Sequence, residues 1–186
     1  MLSNGLDLSH SIEWLKNEKI LIHPTEGVWG IGCDAFCKSA VDQIYLLKKR
    51  DRSKPLIVLI NSLESFQNFL HPLNEKQKAF VNSVWPGHVT LLFKYNDNLP
   101  NHLQNNTNKI ALRVSNHYPL KALNKGFKNP IISTSANISG NDQLNTIDEF
   151  KKYFISNDVA YYDERLGGNN KPSKLIDVET LEVLRD

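Results

Sequence analysis

The sequence predicts one α/β domain built on a mixed sheet. Apolar stripes at helical spacing alternate with short β-branched runs along the chain. No stretch is rich enough in Gly, Ser or Pro to divide it, so residues 1–186 read as a single unit. A length of 186 residues, 40% hydrophobic and 23% charged, is ordinary globular usage for about one domain.

Each element has a local reason. Ile12, Trp14 and Leu15 give an amphipathic helix over 9–17. Lys19–His23 is a strand stopped by Pro24, followed by a loop carrying Gly27, Gly30 and Gly32. Ser39 and Asp42 have capping-box spacing, and Ala40, Ile44 and Leu47 continue the helix towards Arg50. Leu56–Ile60 is a buried strand by length and β-branching. Two helices are expected near 62–70 and 74–84, then a strand over Val89–Lys94. Residues 96–109 are a long polar loop. In 110–115 the alternation puts Ile110, Leu112 and Val114 on one face and Ala111, Arg113 and Ser115 on the other. A short helix should end at Gly126, and 130–133 is a strand feeding a Ser/Thr-rich turn. Thr146 and Glu149 box a helix running to about Ile155. Residues 159–162, 174–178 and 182–185 read as late strands.

Composition excludes several classes. A net charge of +2 gives no surplus for a histone-like or tail-type nucleic-acid binder. Cys33 and Cys37 cannot build a disulfide framework, and the six histidines have no metal spacing, so no metal ligand is assigned. Free thiols, a polar N-terminus and the lack of an 18-residue apolar run lead to the expectation of a soluble cytoplasmic protein away from membranes. There is no G-x-S-x-G elbow and no paired-carboxylate signature.

Four stretches could carry chemistry. Lys48, Lys49, Arg50, Arg52 and Lys54 crowd into seven residues. They are either a solvated helix end or a polyphosphate cradle at a sheet edge. Pro24–Cys33 brings three glycines, Thr25 and Trp29 together without forming a P-loop or a dinucleotide fingerprint. It is a tight turn or a ligand loop, in which Thr25 can bond a ligand and Trp29 can wall a pocket. Ser133–Gly140 is a local hydroxyl turn or an anion site. Arg113, between the small residues Ala111 and Ser115, is a salt-bridge partner or a carboxylate ligand.

Taken in order, these pieces resemble the YrdC-like family, over about residues 12–178. The matching motifs are Pro24-Thr-Glu-x-Val-Trp-Gly-x-Gly-Cys33, Lys48-x-Arg50, Lys54-Pro-Leu56, Trp85-Pro-Gly-x-Val-Thr90, Leu112-Arg-Val114, Ser133-Thr-Ser-Ala-Asn-x-Ser-Gly140 and Pro172-Ser173. The length is similar to that of the single-domain bacterial form. The resemblance implies a twisted mixed sheet flanked by helices, with a positively charged concave face. It also implies synthesis of threonylcarbamoyl-AMP and pyrophosphate from ATP, L-threonine and bicarbonate. Downstream threonylcarbamoyl-transferase proteins would then modify adenosine 37 of tRNAs reading codons that start with A.

By the same resemblance Lys48, Arg50, Ser135 and Asn137 are catalytic and hold the ATP phosphates, with Arg52 and Lys54 as further nucleotide contacts. Thr25, Arg113, Ser133 and Ser173 bind threonine. Mg²⁺ is expected as a cofactor held mainly through the ATP phosphates. Weak tRNA or double-stranded RNA binding, or a paralogue that no longer synthesises the adenylate, are the alternatives. Gly27 departs from the family's usual Thr or Ala, Trp29 from Tyr or Phe, and Asp51 from Pro.

Overall fold

A computed structural model describes residues 5–154 and 156–186. The elements are α1 (Leu8–Lys16), β1 (Ile20–His23), β2 (Gly30–Gly32), α2 (Lys38–Leu47), β3 (Ile57–Leu59), α3 (Glu75–Val84), β4 (Val89–Lys94), β5 (Lys109–Arg113), α4 (Tyr118–Phe127), β6 (Ile131–Ser135), α5 (Ile147–Tyr153), β7 (Val159–Tyr161), β8 (Lys174–Asp177) and β9 (Val183–Arg185). The described strands form one sheet in the order β7-β1-β2-β6-β3-β5-β4-β8-β9. Pairs β1/β7, β3/β5 and β4/β8 are parallel, and the other five pairs are antiparallel, so the sheet is mixed as the sequence predicts.

Directly paired residues share a face of the sheet. One face carries Ile22, Ile31, Val58, Leu112 and Ile132, and joins Val41 and Ile44 of α2, Val81 of α3 and Phe150 of α5 in the main core. The opposite face is covered over only half its width. There Leu21, Leu59, Ile131 and Ala160 meet Leu15 of α1 and Leu120, Leu123 and Phe127 of α4. The register continues that face into Ile57, Ala111, Arg113, Ser133 and Leu92, which α1 and α4 do not reach. This bare half of the sheet is where a ligand can sit.

The structure corrects four local expectations. Over 62–70 the only helical segment is a 3₁₀ turn at Gln67–Phe69, held there by Phe66 and Phe69 packing on Phe36. The N-cap of α2 is Cys37, not Ser39, and makes no side-chain cap; Asp42 turns to Lys38 at 2.5 Å and to Arg52 at 2.8 Å. Gly126 lies inside α4, which ends at Lys128 with φ 74°. Its glycine serves helix packing, since a Cβ there would stand 2.3 Å from Ile12 Cδ1. The 3₁₀ turn Asn101–Leu103, with Leu103 packed against the main core, gives the predicted polar loop partial order. The capping box at Thr146 and Glu149 forms as expected, whereas the end of that helix at Ile155 falls outside the described residues.

His23, at the end of β1, is fully buried. Gly30 makes room for its ring, because a Cβ there would lie 2.4 Å from His23 Cε1. Burial pushes the imidazole down to about 4, partly offset by its bond to the Pro24 carbonyl. Between that value and an unfolded value of about 6.5, the unfolded chain binds a proton that the native protein does not. Stability should therefore fall as pH drops through this window, by up to about 1.4 kcal/mol per pH unit. Urea titrations at pH 6.5, 5.5 and 4.5 should show this loss, with a shallower slope in His23→Phe. An identical slope in the variant removes His23 as its source.

Candidate active site

A cavity of about 580 Å³ opens on the bare half of the sheet. Thr25, Arg50, Arg113, Ser133, Ser135 and Ser173 all line it. Six predicted site residues from five separate motifs thus converge on one space. A larger hollow of about 670 Å³ shares only Leu92 and Lys109 with it. The cations of that hollow are neutralised: Lys109 pairs with Asp177 at 2.5 Å and Lys94 with Glu179 at 2.6 Å.

At one end of the cavity, β5 delivers Arg113, only 5% exposed. Its Nε donates to the Gly87 carbonyl at 3.3 Å, and its Nη2 forms an ion pair with Glu26. Glu26 also accepts a 2.7 Å hydrogen bond from Ser115, the next face-mate of Arg113 along the chain. Burial pushes the Glu26 carboxyl up, but the charge of Arg113 and the Ser115 hydroxyl outweigh it and hold the group below its ordinary value. Thr25 donates to the Val28 carbonyl at 2.6 Å and accepts from Val28 N at 3.2 Å, so its hydroxyl also shapes the loop.

Residues 164–173 form a strap between β7 and β8 that lies on this loop. Gly167 N donates to Thr25 O at 2.9 Å and Asn169 N to Glu26 O at 2.8 Å. A Cβ on Gly27 would stand 1.9 Å from the Lys171 carbonyl. The close strap therefore requires glycine at this departure from the family pattern. At the far side Ser173 and Thr90 share a 2.7 Å hydroxyl contact, and Arg185 of β9 donates twice to the Ser173 carbonyl, at 2.9 and 2.7 Å.

At the other end, the five clustered cations separate. Lys49 has φ 49°, which reverses the chain after α2 and sends its neighbours different ways. Lys48 turns inward and is fully buried. Its ammonium donates to the carbonyls of Ser135 and Asn137, the latter at 2.6 Å, and to Asn137 Oδ1 at 3.1 Å. Burial, followed by the charge of Arg50, pushes it down to about 7. Arg50 enters the cavity and is braced by the carbonyls of Lys54 and Pro55 at 3.1 and 3.0 Å. Arg52 instead pairs with Asp42 and lies over the Tyr45 ring, in a different hollow. Lys54 is exposed, and it is its carbonyl that supports Arg50. Asp51 makes a turn bond to Ser53 N at 2.8 Å. Ser135 Oγ and Asn137 Oδ1 are 2.7 Å apart, and Asn137 Nδ2 donates to the Asn141 carbonyl at 2.6 Å. Ser135 lines the cavity, while Asn137 stands behind it as part of the turn.

Trp29 does not wall the cavity. Its ring packs edge-on against Phe150 at 5.6 Å, on the core face, and the neighbouring Val28 and Gly30 face the ligand space instead. Sequence reasoning missed Arg185, which lines the cavity. The late strand expected over 182–185 was its only local signal. His88, which the sequence leaves open between packing and a role in the site, also lines the cavity, and its Nδ1 accepts from Asn169 of the strap at 3.1 Å.

The family model described as "Telomere recombination", the Sua5/YciO/YrdC family, matches residues 13–186. The chain belongs to this family. It is similar to the threonylcarbamoyl-AMP synthase of Hahella chejuensis, at 34% identity over 96% of this chain and 97% of that protein. The synthase of Pseudoalteromonas translucida is 32% identical over 99% of this chain and all of its own length. Among solved structures, P. abyssi Sua5 in complex with L-threonine superposes with a TM-score of 0.84 at 24% identity, over 95% of this chain. The chain spans about half (52%) of that protein's length. E. coli YciO gives 0.81 at 21% identity, over 96% of this chain and 88% of its own. These two likenesses establish the YrdC-like fold. Among the described residues no helix is long and apolar enough to cross a membrane.

Proposed function

We propose that the protein is a threonylcarbamoyl-AMP synthase, converting L-threonine, bicarbonate and ATP to threonylcarbamoyl-AMP and pyrophosphate. The observation that carries this reading is the single cavity that joins a buried arginine at one end to Arg50 and the Ser135 turn at the other. Arg113 offers a fork for the threonine carboxylate, with Thr25, Ser133 and Ser173 around it. The amine, turned towards the middle, reacts with bicarbonate to give a carbamate and water. A carbamate oxygen then attacks the α-phosphorus in line, and pyrophosphate leaves. Arg50 and the Ser135 hydroxyl are placed to balance charge on the phosphates, a task that needs positioned donors and not a general base. Lys48 and Asn137 keep the Ser135 turn in shape.

The residues lining this cavity include no Asp or Glu, and no cluster of three metal-ligating side chains occurs among the described residues. That donor set does not fit a protein-held Mg²⁺ site. The ion belongs to the ATP that carries it in, and no step here runs through it. Downstream transferase proteins acting on tRNA would consume the mixed anhydride, and a cytoplasmic reaction fits that role. An RNA-binding role is the weaker reading, because Arg113 is too deeply buried to meet an extended phosphate backbone. Purified protein supplied with threonine, bicarbonate and Mg-ATP should release pyrophosphate and form threonylcarbamoyl-AMP, identified by mass spectrometry. No pyrophosphate with all of them present would end this reading.

A further inference from the structure

Glu26 is the hub of the amino-acid end, although it does not line the cavity. One carboxylate oxygen pairs with Arg113, and the other takes the Ser115 hydroxyl at 2.7 Å. Its backbone carbonyl accepts from Asn169 of the strap, and Gly167 packs on its Cα so closely that a Cβ would stand 2.7 Å away. The two charged side chains are only 6% and 12% exposed, so solvent screens their interaction little.

The consequence is electrical as well as geometric. An arginine alone at this depth would draw in any small carboxylate. An arginine already balanced by a buried carboxylate presents a pair of net charge zero. A bare anion placed there carries an unbalanced negative charge into a poorly solvated space. A zwitterion brings its own compensating ammonium. We propose that Glu26 is the positioning and specificity-determining residue of this end: it fixes the Arg113 guanidinium and cancels its charge, so that the site takes a zwitterionic α-amino acid in preference to the same carboxylate lacking its amine. The inference rests on the threonine reading above and adds the selection rule to it.

The test uses 3-hydroxybutyrate, which is threonine without its amine, as competitor in the pyrophosphate-release assay. In the unsubstituted protein its inhibition constant should exceed the threonine KM by about 100-fold or more. In Glu26→Gln the ratio of the two constants should fall by about tenfold, the threonine KM should rise by about tenfold, and the ATP KM should stay within about twofold. Glu26→Asp keeps the charge and should keep the ratio. A variant damaged only in folding loses active fraction without moving this ratio. A ratio unchanged in Glu26→Gln overturns the proposal.

If Glu26→Gln yields no folded protein, Ser115→Ala carries the test, because it frees one carboxylate oxygen and leaves the charge. It should raise the threonine KM about threefold with the ATP KM unmoved, and no change in either constant overturns the positioning role. An unsubstituted protein that makes no product defeats the enzyme reading. An active one with an unmoved ratio defeats only the role of Glu26.

Discussion

Arg113→Ala is expected to cut kcat/KM for threonine by about 10²-fold or more while leaving the ATP KM within about threefold. Two losses act in the same direction. The fork that would meet the threonine carboxylate disappears, and the Glu26 carboxylate beside it loses the partner that holds it ionised. The acid left behind, its carboxyl pushed up by burial, offers the incoming carboxylate no positive charge. Arg113→Lys should restore little, because one ammonium cannot reproduce the planar set of donors that meets both the Gly87 carbonyl and Glu26. Initial rates of pyrophosphate release, with each substrate varied at saturating levels of the other, decide the matter. Equal effects on both substrates would remove Arg113 from the threonine end.

The amino-acid end was legible in the sequence because its geometry follows from a period of two. Once 110–115 is read as a strand, Arg113 must share a face with Ala111, and the small neighbour leaves the space that becomes the cavity. Ser133 faces the same way by its pairing with Ile57. The Thr146–Glu149 capping box and the strand at 89–94 were legible for the same kind of reason, since their signals are complete within a few residues. Gly126 was misread because its role is set by Ile12, more than a hundred residues away in the chain. Arg185 was missed because it arrives through the pairing of β9 with β8, which no local pattern announces. The cation cluster failed differently. Five charges adjacent in sequence read as one patch, but the left-handed residue Lys49 and three acceptors on a distant turn divide them. The departure at Gly27 becomes intelligible only when the strap is seen lying on it.

That division leads to the second large effect, in which Lys48 and Arg50 should fail in different ways. Lys48 gives its ammonium to three oxygens of the Ser135–Asn137 turn, and Ser139 N in turn donates to the Lys48 carbonyl at 2.9 Å. Lys48→Met keeps most of the volume but strips the charged donor from all three oxygens; the Ser135 carbonyl keeps Asn137 N and Asn137 Oδ1 keeps the Ser135 hydroxyl, while the Asn137 carbonyl loses the donor it has here. That should cost about 3 kcal/mol of stability, or roughly 6–12 °C in Tm for a chain of this size. The turn loosens with it, and kcat/KM for ATP should fall by about 10²-fold, because the Ser135 hydroxyl is no longer aimed. Arg50 is braced by two carbonyls near the surface of the cavity, so Arg50→Ala should lower ATP use by a similar factor with a Tm change of about 2 °C or less. Calorimetric melting beside ATP titration separates the two roles. If Lys48→Met lost ATP use at unchanged Tm, its ammonium would have to reach the phosphates directly, and the turn would be holding itself.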